Sequence, residues 1–131
     1  AEKRLGKSTD RLKYAYAWKT LINAKVHVAG GSDAPIEQPN PLYGIYAAIF
    51  RKSSKDEIWK PEERLTFQEA INLYTKGGAF AAKRENELGQ LKPGFLADFI
   101  VINHDISSNQ EQIPNTEIIE VWVDGIKRSS Q

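Results

Sequence analysis

The chain has 131 residues, of which 40% are hydrophobic and 27% are charged, and this length and composition are typical of one globular domain. Its 18 basic and 17 acidic residues leave a net charge of +1, which argues against nucleic acid or an anionic membrane as a partner. The absence of cysteine excludes disulfides, cysteine zinc sites and thiol nucleophiles, and no run of residues approaches the ~20 apolar residues that span a bilayer.

The N-terminal part of the sequence predicts a helix followed by a strand. The helix covers residues 8–24, where the Ser-Thr-Asp run at residues 8–10 offers N-cap oxygens. Its apolar side chains recur at helical spacing and form one stripe, made of Tyr14, Ala17, Trp18, Leu21 and Ile22. The strand carries Val26 and Val28 and ends at the glycine pair 30–31. A helix, a tight turn and a strand make one step of a parallel α/β fold.

The middle of the chain predicts a long irregular connection and then two helices. Prolines at positions 35, 39, 41 and 61 interrupt residues 34–64, and only residues 42–51 keep a helical spacing there. The next helix is predicted over residues 65–77, because Thr66 and Glu69 have the spacing of a capping box. The glycine pair 77–78 ends that helix, and a short helix is predicted over residues 79–84.

From residue 88 onwards the sequence predicts a small β module. Strands are expected over residues 98–103 and 117–123, with a polar loop at 104–116 between them. The Asp124-Gly125 pair favours a tight hairpin turn, after which residues 126–128 can begin a return strand. A domain boundary is therefore predicted near residues 85–89.

Asp33 is the most suggestive candidate for chemistry. It follows the predicted strand and its glycine pair, and the carboxyl ends of parallel strands are where α/β folds hold their active sites. A carboxylate there can bind a divalent metal or accept the proton of a metal-bound water. A helix cap or a turn is the more common role of such a residue. Glu37, in the same loop, has two interpretations as well, as a substrate contact or as a solvated side chain.

The two histidines do not complete a metal site with Asp33. On a regular strand at ~3.3 Å per residue, His27 would lie roughly 20 Å from Asp33, too far for both to bind one ion. His27 is therefore interpreted as structural and His104 as an exposed turn residue. With two histidines and no cysteine, the chain cannot assemble a histidine-rich metal site by itself.

Several stretches resemble the C-terminal portion of the amidohydrolase superfamily, in its amidohydrolase-3 or YtcJ-like branch. The matching stretches are residues 14–21, 30–37, 40–48, 65–70 and 89–99. The Gly-Ser-Asp-Ala-Pro motif at residues 31–35 and the Pro-Gly-Phe-Leu-Ala-Asp motif at residues 93–98 are weak alone but fairly specific as an ordered pair.

The resemblance implies an α/β fold class and a C-terminal fragment of a larger enzyme. Residues 1–88 would be the end of a (β/α)₈ barrel, its last helix–strand–helix units, and residues 89–131 the closing part of a composite β-sandwich. Asp33 would be the family's strand-8 aspartate, which binds the metal and moves a proton, while Pro35 and Glu37 would contact substrate. The family's remaining ligands would precede Ala1, and the lack of any Met fits such a piece.

The activity implied is hydrolysis of a non-peptide C–N bond in a small-molecule substrate by a water that a divalent metal, expected to be zinc, activates. We expect this fragment alone to be inactive and to bind no metal, and either to form a homodimer through an exposed barrel edge or to order only in part. No signal-peptide pattern is present, and we expect a cytoplasmic protein. The alternative that the residues leave open is a non-catalytic α+β binding or structural module.

Overall fold

The computed structural model describes residues 10–53 and 55–130. Within them a helical part precedes a small antiparallel sheet. The α-helices are α1 (Trp18–Asn23), α2 (Pro41–Phe50), α3 (Phe67–Tyr74) and α4 (Lys76–Ala81); the 3₁₀ helices are Asp10–Tyr14, Pro61–Glu63 and Gln110–Asn115; the strands are β1 (Phe99–Ile102), β2 (Ile118–Val123) and β3 (Ile126–Ser130). None of the helices within these ranges has the length and apolar character needed to cross a bilayer.

The continuous helix predicted over residues 8–24 is wrong in the part that the structure describes; its first two residues lie outside that part. The chain forms a 3₁₀ helix, breaks at Tyr16, which has φ 52°, and re-enters a helix at Trp18. The Lys60 ammonium accounts for the break, because it donates hydrogen bonds to backbone carbonyl oxygens that would accept from amides in a continuous helix. Its Nζ donates to the carbonyl oxygens of Leu12, Lys13 and Ala15 at 3.0, 2.9 and 3.2 Å.

The strand predicted before Asp33 is also wrong for this chain. Residues 26–32 belong to no strand, and Asp33 begins a turn. A parallel strand needs a neighbour, but every strand in the described ranges lies in the antiparallel sheet. The segment is instead tied to a helix, since the Gly30 amide donates to the Leu73 carbonyl at 3.0 Å. The barrel-like arrangement therefore stays a prediction about a longer protein.

Helix α2 confirms the helical spacing in the middle of the chain. The Asn40 side chain accepts a hydrogen bond from the Leu42 amide at 3.0 Å, and Pro41 occupies the first helical position. Arg51, with φ 56° and its amide donating to the Ala47 carbonyl, ends the helix. The buried face of α2 consists of Leu42, Ile45, Ala48 and Ile49.

Helix α3 confirms the capping box, although the helix boundaries differ from the prediction. Thr66 accepts from the Glu69 amide at 3.3 Å, and the Glu69 carboxylate accepts from the Thr66 amide at 2.8 Å. The helix ends at Tyr74 rather than at residue 77, because Thr75 leaves the helical conformation. Helix α4 then begins at Lys76 and includes the glycine pair that was expected to separate the two helices.

One core joins the helices to the segment between β1 and β2. The predicted polar loop 104–116 contains a 3₁₀ helix, and its Ile113 is completely buried. The core therefore draws on both sides of the predicted domain boundary, which stays a prediction. Its buried side chains are Leu42, Ile45, Ala48, Ile49, Leu65, Ala70, Leu73, Ile106 and Ile113.

The three strands confirm the predicted β module. Their order is β1-β2-β3, all antiparallel, with Phe99 opposite Trp122 and their rings stacked 5.5 Å apart. Asp124 and Gly125, with φ 53° and 69°, form the tight turn between β2 and β3. Ile100 and Val101 point to opposite faces of β1 yet are 45% and 40% exposed, so the described part of the chain leaves both faces of β1 partly open. The composite sandwich stays a prediction.

Candidate functional site

A cavity of about 900 Å³ lies between α2 and the segment that leads through Asp33. Part of its wall is aromatic, and two carboxylates border it. The residues on which the following argument depends are Tyr16, Trp18, Asp33, Glu37, Tyr43 and Tyr74. The lining also includes polar side chains, among them Gln38, Asn40 and Lys52. An apolar surface with polar groups that can orient a ligand is typical of small-molecule sites.

Asp33 borders this cavity from an exposed turn. Its carbonyl accepts a hydrogen bond from the Ile36 amide at 2.9 Å, and the peptide bond between Ala34 and Pro35 within the turn is cis. Asp33 has φ 54°, a left-handed conformation that Asp adopts more readily than most residues. Within the described ranges its carboxylate forms no hydrogen bond or ion pair. The carboxylate is therefore available to a ligand in the cavity.

The structure brings one of the two predicted substrate residues to the same cavity as Asp33. Glu37 borders the cavity, and its side chain is exposed. Pro35 lies inside the turn, is exposed, and is not among the residues that border the cavity. Pro35 thus shapes the turn in this chain, while Asp33 and Glu37 supply the two carboxylates that border the cavity.

The cavity wall opposite Asp33 includes Tyr74, whose ring is close to two glycines. A Cβ atom added to Gly30 would lie 2.7 Å from the ring, and one added to Gly44 would lie 1.8 Å from the phenol oxygen. Burial raises the pKa of Tyr74, so the phenol keeps its proton at neutral pH. The sequence placed Tyr74 only in an apolar helix stripe. A signal was available at Gly44, because glycine inside a helix costs about 1 kcal/mol relative to alanine and so indicates close packing.

Arg51 supports the aromatic wall from behind and was not singled out by the sequence. Its guanidinium carbon lies 4.5 Å from the centre of the Trp18 ring and 5.4 Å from that of Trp59. Arg51 is 7% exposed, and its Nε donates to the Trp59 carbonyl at 3.2 Å. Burial lowers the pKa of Arg51, and the negative charges of Glu63 and Glu62 offset part of this effect by raising it. These contacts fix the position of Trp18 at the cavity.

The side chains near Asp33 do not form a complete metal site. Across residues 10–53 and 55–130 no group of three or more His, Asp or Glu side chains could hold a metal ion. The His27 ring stacks on Phe80 with centroids 3.8 Å apart, and His104 Nε2 lies 3.3 Å from the Thr116 hydroxyl. The donors in the described part of the chain therefore do not make up a metal centre by themselves.

Comparison with known proteins shows that the chain is similar to an established protein family. A family model with the description "Amidohydrolase family" (Amidohydro_3) matches residues 1–126. The chain is 43% identical over 126 residues to YtcJ of Bacillus subtilis (strain 168), a protein whose name assigns it to the amidohydrolases. It is 26% identical over 124 residues to the N-substituted formamide deformylase of Arthrobacter pascens. These alignments cover 93% and 94% of this chain but 23% of each relative.

A solved structure is similar to this chain in both fold and sequence. An uncharacterized metal-dependent hydrolase from Pyrococcus furiosus is 34% identical, with a TM-score of 0.54. The superposition covers 66% of this chain and 17% of that one. The chain thus spans less than a quarter of the length of each of these three proteins, and its mixture of helices and a small antiparallel sheet matches part of a larger molecule.

Proposed function

The chain belongs to the amidohydrolase family, and we propose that it forms the part of a longer metal-dependent hydrolase that brings the Asp33 carboxylate to the active site. The observation that carries the proposal is the family match over residues 1–126. In this proposal residues 1–88 are the end of a (β/α)₈ barrel and residues 89–131 close a composite β-sandwich. A small-molecule substrate and a cytoplasmic location belong to the same proposal.

The proposed reaction is hydrolysis of a non-peptide C–N bond. The similarity to the Arthrobacter pascens deformylase, whose name describes removal of a formyl group from an N-substituted formamide, supports this bond type. Asp33 would accept a proton from the attacking water and return it to the leaving nitrogen. An exposed carboxylate without an intramolecular partner in the described ranges suits that role, since its oxygens are not already occupied by hydrogen bonds.

The longer enzyme is proposed to hold a divalent metal, with zinc the expected ion and Asp33 as one ligand. The description of the Pyrococcus furiosus hydrolase as metal-dependent supports a metal. The described residues would contribute this carboxylate and no complete set of ligands. The other ligands would have to come from elsewhere in the longer protein, and for this reason we propose that the 131-residue chain alone is inactive.

Substrate selection is proposed to take place in the cavity beside Asp33. Glu37 would contact a polar group of the substrate, and Pro35 would hold the turn that forms the mouth. Tyr43, Tyr74 and Trp18 offer aromatic surface to an apolar substituent on the substrate nitrogen. Loops at the mouth of a barrel are where such enzymes vary their specificity.

The decisive experiment replaces Asp33 in the full-length protein that contains this segment. Asp33→Asn is expected to reduce kcat by about 10³-fold or more, because the amide cannot accept the proton, with the fold retained since Asn has the shape of Asp and tolerates its φ of 54°. The matched control is Asp124→Asn, an exposed aspartate that also has positive φ, at 53°, but lies outside the residues that border the cavity. Normal turnover by Asp33→Asn would remove Asp33 from the mechanism, whereas a full-length protein without any hydrolase activity would favour the alternative of a non-catalytic α+β module.

A further inference from the structure

We infer that Tyr74 is a positioning residue for the Asp33 turn, held between Gly30 and Gly44 so that these three residues act as an interlock. The inference rests on the proposed function in one respect, namely that Asp33 is the residue whose position matters. The interlock itself follows from contacts within this chain and can be tested without measuring hydrolysis.

The first half of the interlock lies at Gly30. A Cβ atom there would be 2.7 Å from both Cε2 and Cζ of Tyr74 and 3.0 Å from Cδ2, distances that real Cβ atoms do not tolerate. The ring therefore lies directly against the backbone of Gly30. The Gly30 amide also donates to the carbonyl of Leu73, the residue before Tyr74, at 3.0 Å. One helix end thus holds Gly30 through a hydrogen bond and a ring contact, where the predicted fold would have used a neighbouring strand.

The second half lies on α2. A Cβ atom at Gly44 would be 1.8 Å from the Tyr74 hydroxyl oxygen and 2.7 Å from Cζ, so the phenol end occupies the space of a missing side chain. Helix α2 is fixed in the core by its buried Leu42 and Ile45. Tyr74 therefore links the exposed turn at one side of the cavity to a helix that cannot shift without disturbing the core.

The other glycines near this segment show which glycine positions are crowded and which are open. Gly77 is also close, because a Cβ there would lie 2.2 Å from the Val28 carbonyl oxygen. Gly31 and Gly78, each directly beside a crowded glycine, have nothing within 4 Å of an added Cβ. The crowded positions are thus those that face Tyr74 or the segment leading to the turn, while their neighbours tolerate a methyl group.

Movement at Gly30 would reach Asp33 because the chain between them is short and the turn itself is exposed. Asp33 is three residues further along the chain, a span of at most about 10 Å. Residues 33–39 are exposed, and the hydrogen bond between the Ile36 amide and the Asp33 carbonyl is internal to the turn. The interlock therefore ties the N-terminal side of the turn to the packed part of the molecule, while Asn40, the N-cap of α2, ties its C-terminal side.

The test compares Gly30→Ala with Gly31→Ala in the 131-residue chain by amide hydrogen exchange. Gly30→Ala is expected to accelerate exchange at the amides of residue 30 and Ile36 by about tenfold or more, while exchange across β2 stays unchanged. Gly31→Ala should leave all of these rates unchanged, because its methyl group meets free space. Equal effects of the two substitutions, or acceleration that extends equally to β2, would overturn the inference.

A second pair of variants keeps the inference testable if Gly30→Ala does not fold. Gly44→Ala should also accelerate exchange at residue 30 and Ile36, and adding Tyr74→Phe should recover part of the protection, because it removes the oxygen 1.8 Å from the new methyl group. Tyr74→Phe alone should leave the rates unchanged, since the ring contact with Gly30 remains. Failure of Tyr74→Phe to relieve Gly44→Ala would contradict the interlock. Since this test involves no turnover, its failure and that of the Asp33 proposal are distinguishable.

Discussion

Glu63 illustrates, at the scale of a single residue, how a buried carboxylate is stabilised without an ion pair of its own in the described ranges. It is 6% exposed, and its carboxylate accepts hydrogen bonds from the Thr20 hydroxyl and from the Thr20 amide, the latter at 3.0 Å. Because Ala17 offers no capping side chain, Glu63 satisfies the first turn of α1 from outside the helix. Burial alone would raise the pKa of Glu63. The Thr20 hydrogen bonds and the Lys60 charge together outweigh this effect, so the net pKa lies below its ordinary value.

Glu63→Gln is therefore expected to reduce the free energy of unfolding at pH 7 by about 1–3 kcal/mol, the range for hydrogen bonds to a charged group. A lowered native-state pKa stabilises the fold above the ordinary value of 4.5, and this contribution is lost as the pH falls through the lowered pKa. Denaturant titrations of both proteins from pH 7 to pH 3 should show the difference shrinking with acidity. Glu85→Gln, at an exposed glutamate away from Arg51 and Thr20, is the control and should show little change at any pH. A difference that does not depend on pH would contradict this account.

At the same scale, the sequence could single out Asp33 but not its surroundings. The motif at residues 31–35 identified Asp33. The sequence did not predict that Asp33 would be exposed or that no strand would precede it. Tyr74, Gly30 and Gly44 are distant in sequence, so no local pattern indicates that they touch. The buried Arg51 was likewise invisible, since a charged residue after a helix is usually solvated.

The secondary-structure elements that were predicted correctly carry their signals within a few residues. The capping box of α3 and the Asp-Gly hairpin turn involve side chains at fixed short spacings, and α2 follows the apolar spacing of residues 42–51. The elements that were predicted wrongly depend on distant partners. The helix over 8–24 is broken by Lys60, and the strand before Asp33 lacks a neighbouring strand.

Thr66→Ala tests the capping box of α3 at the element scale. Loss of the hydroxyl leaves the Glu69 amide without its acceptor, and the free energy of unfolding is expected to fall by about 1 kcal/mol. Thr66→Ser keeps the oxygen and should retain most of the stability. Thermal and denaturant unfolding of the two variants measure the contrast; equal losses in both would show that the methyl group, and not the cap, stabilises the helix start.

At the scale of the whole molecule, the core and the sheet are covered to different degrees. The helices and the 104–116 segment bury a shared core, of which Ile113 is the most enclosed member. The sheet contributes only Ile102 to the border of this core, and Val123 and Ile126 are 41% and 53% exposed. Strands with exposed edges and apolar side chains favour association with further chains.

We propose that the isolated chain self-associates, with the β1 edge in place of the barrel edge that the sequence suggested. Val101→Lys is expected to weaken association, because an edge lysine resists strand pairing and removes exposed apolar area. Asn109→Lys adds the same charge at an exposed polar position and serves as the control. Sedimentation velocity over a range of concentrations measures the effect. A wild-type chain that stays monomeric at every concentration would contradict the proposal.

The sequence by itself determined the family, the capping box of α3, the hairpin and the identity of the candidate carboxylate, because each depends on a short motif or on side chains within one turn of each other. Only the tertiary structure decided the break at Tyr16, the enclosed 104–116 segment and the Tyr74 contacts that hold the Asp33 turn. These arise from packing between residues far apart in the chain, and such packing depends on the shape of the whole core, which no local pattern encodes.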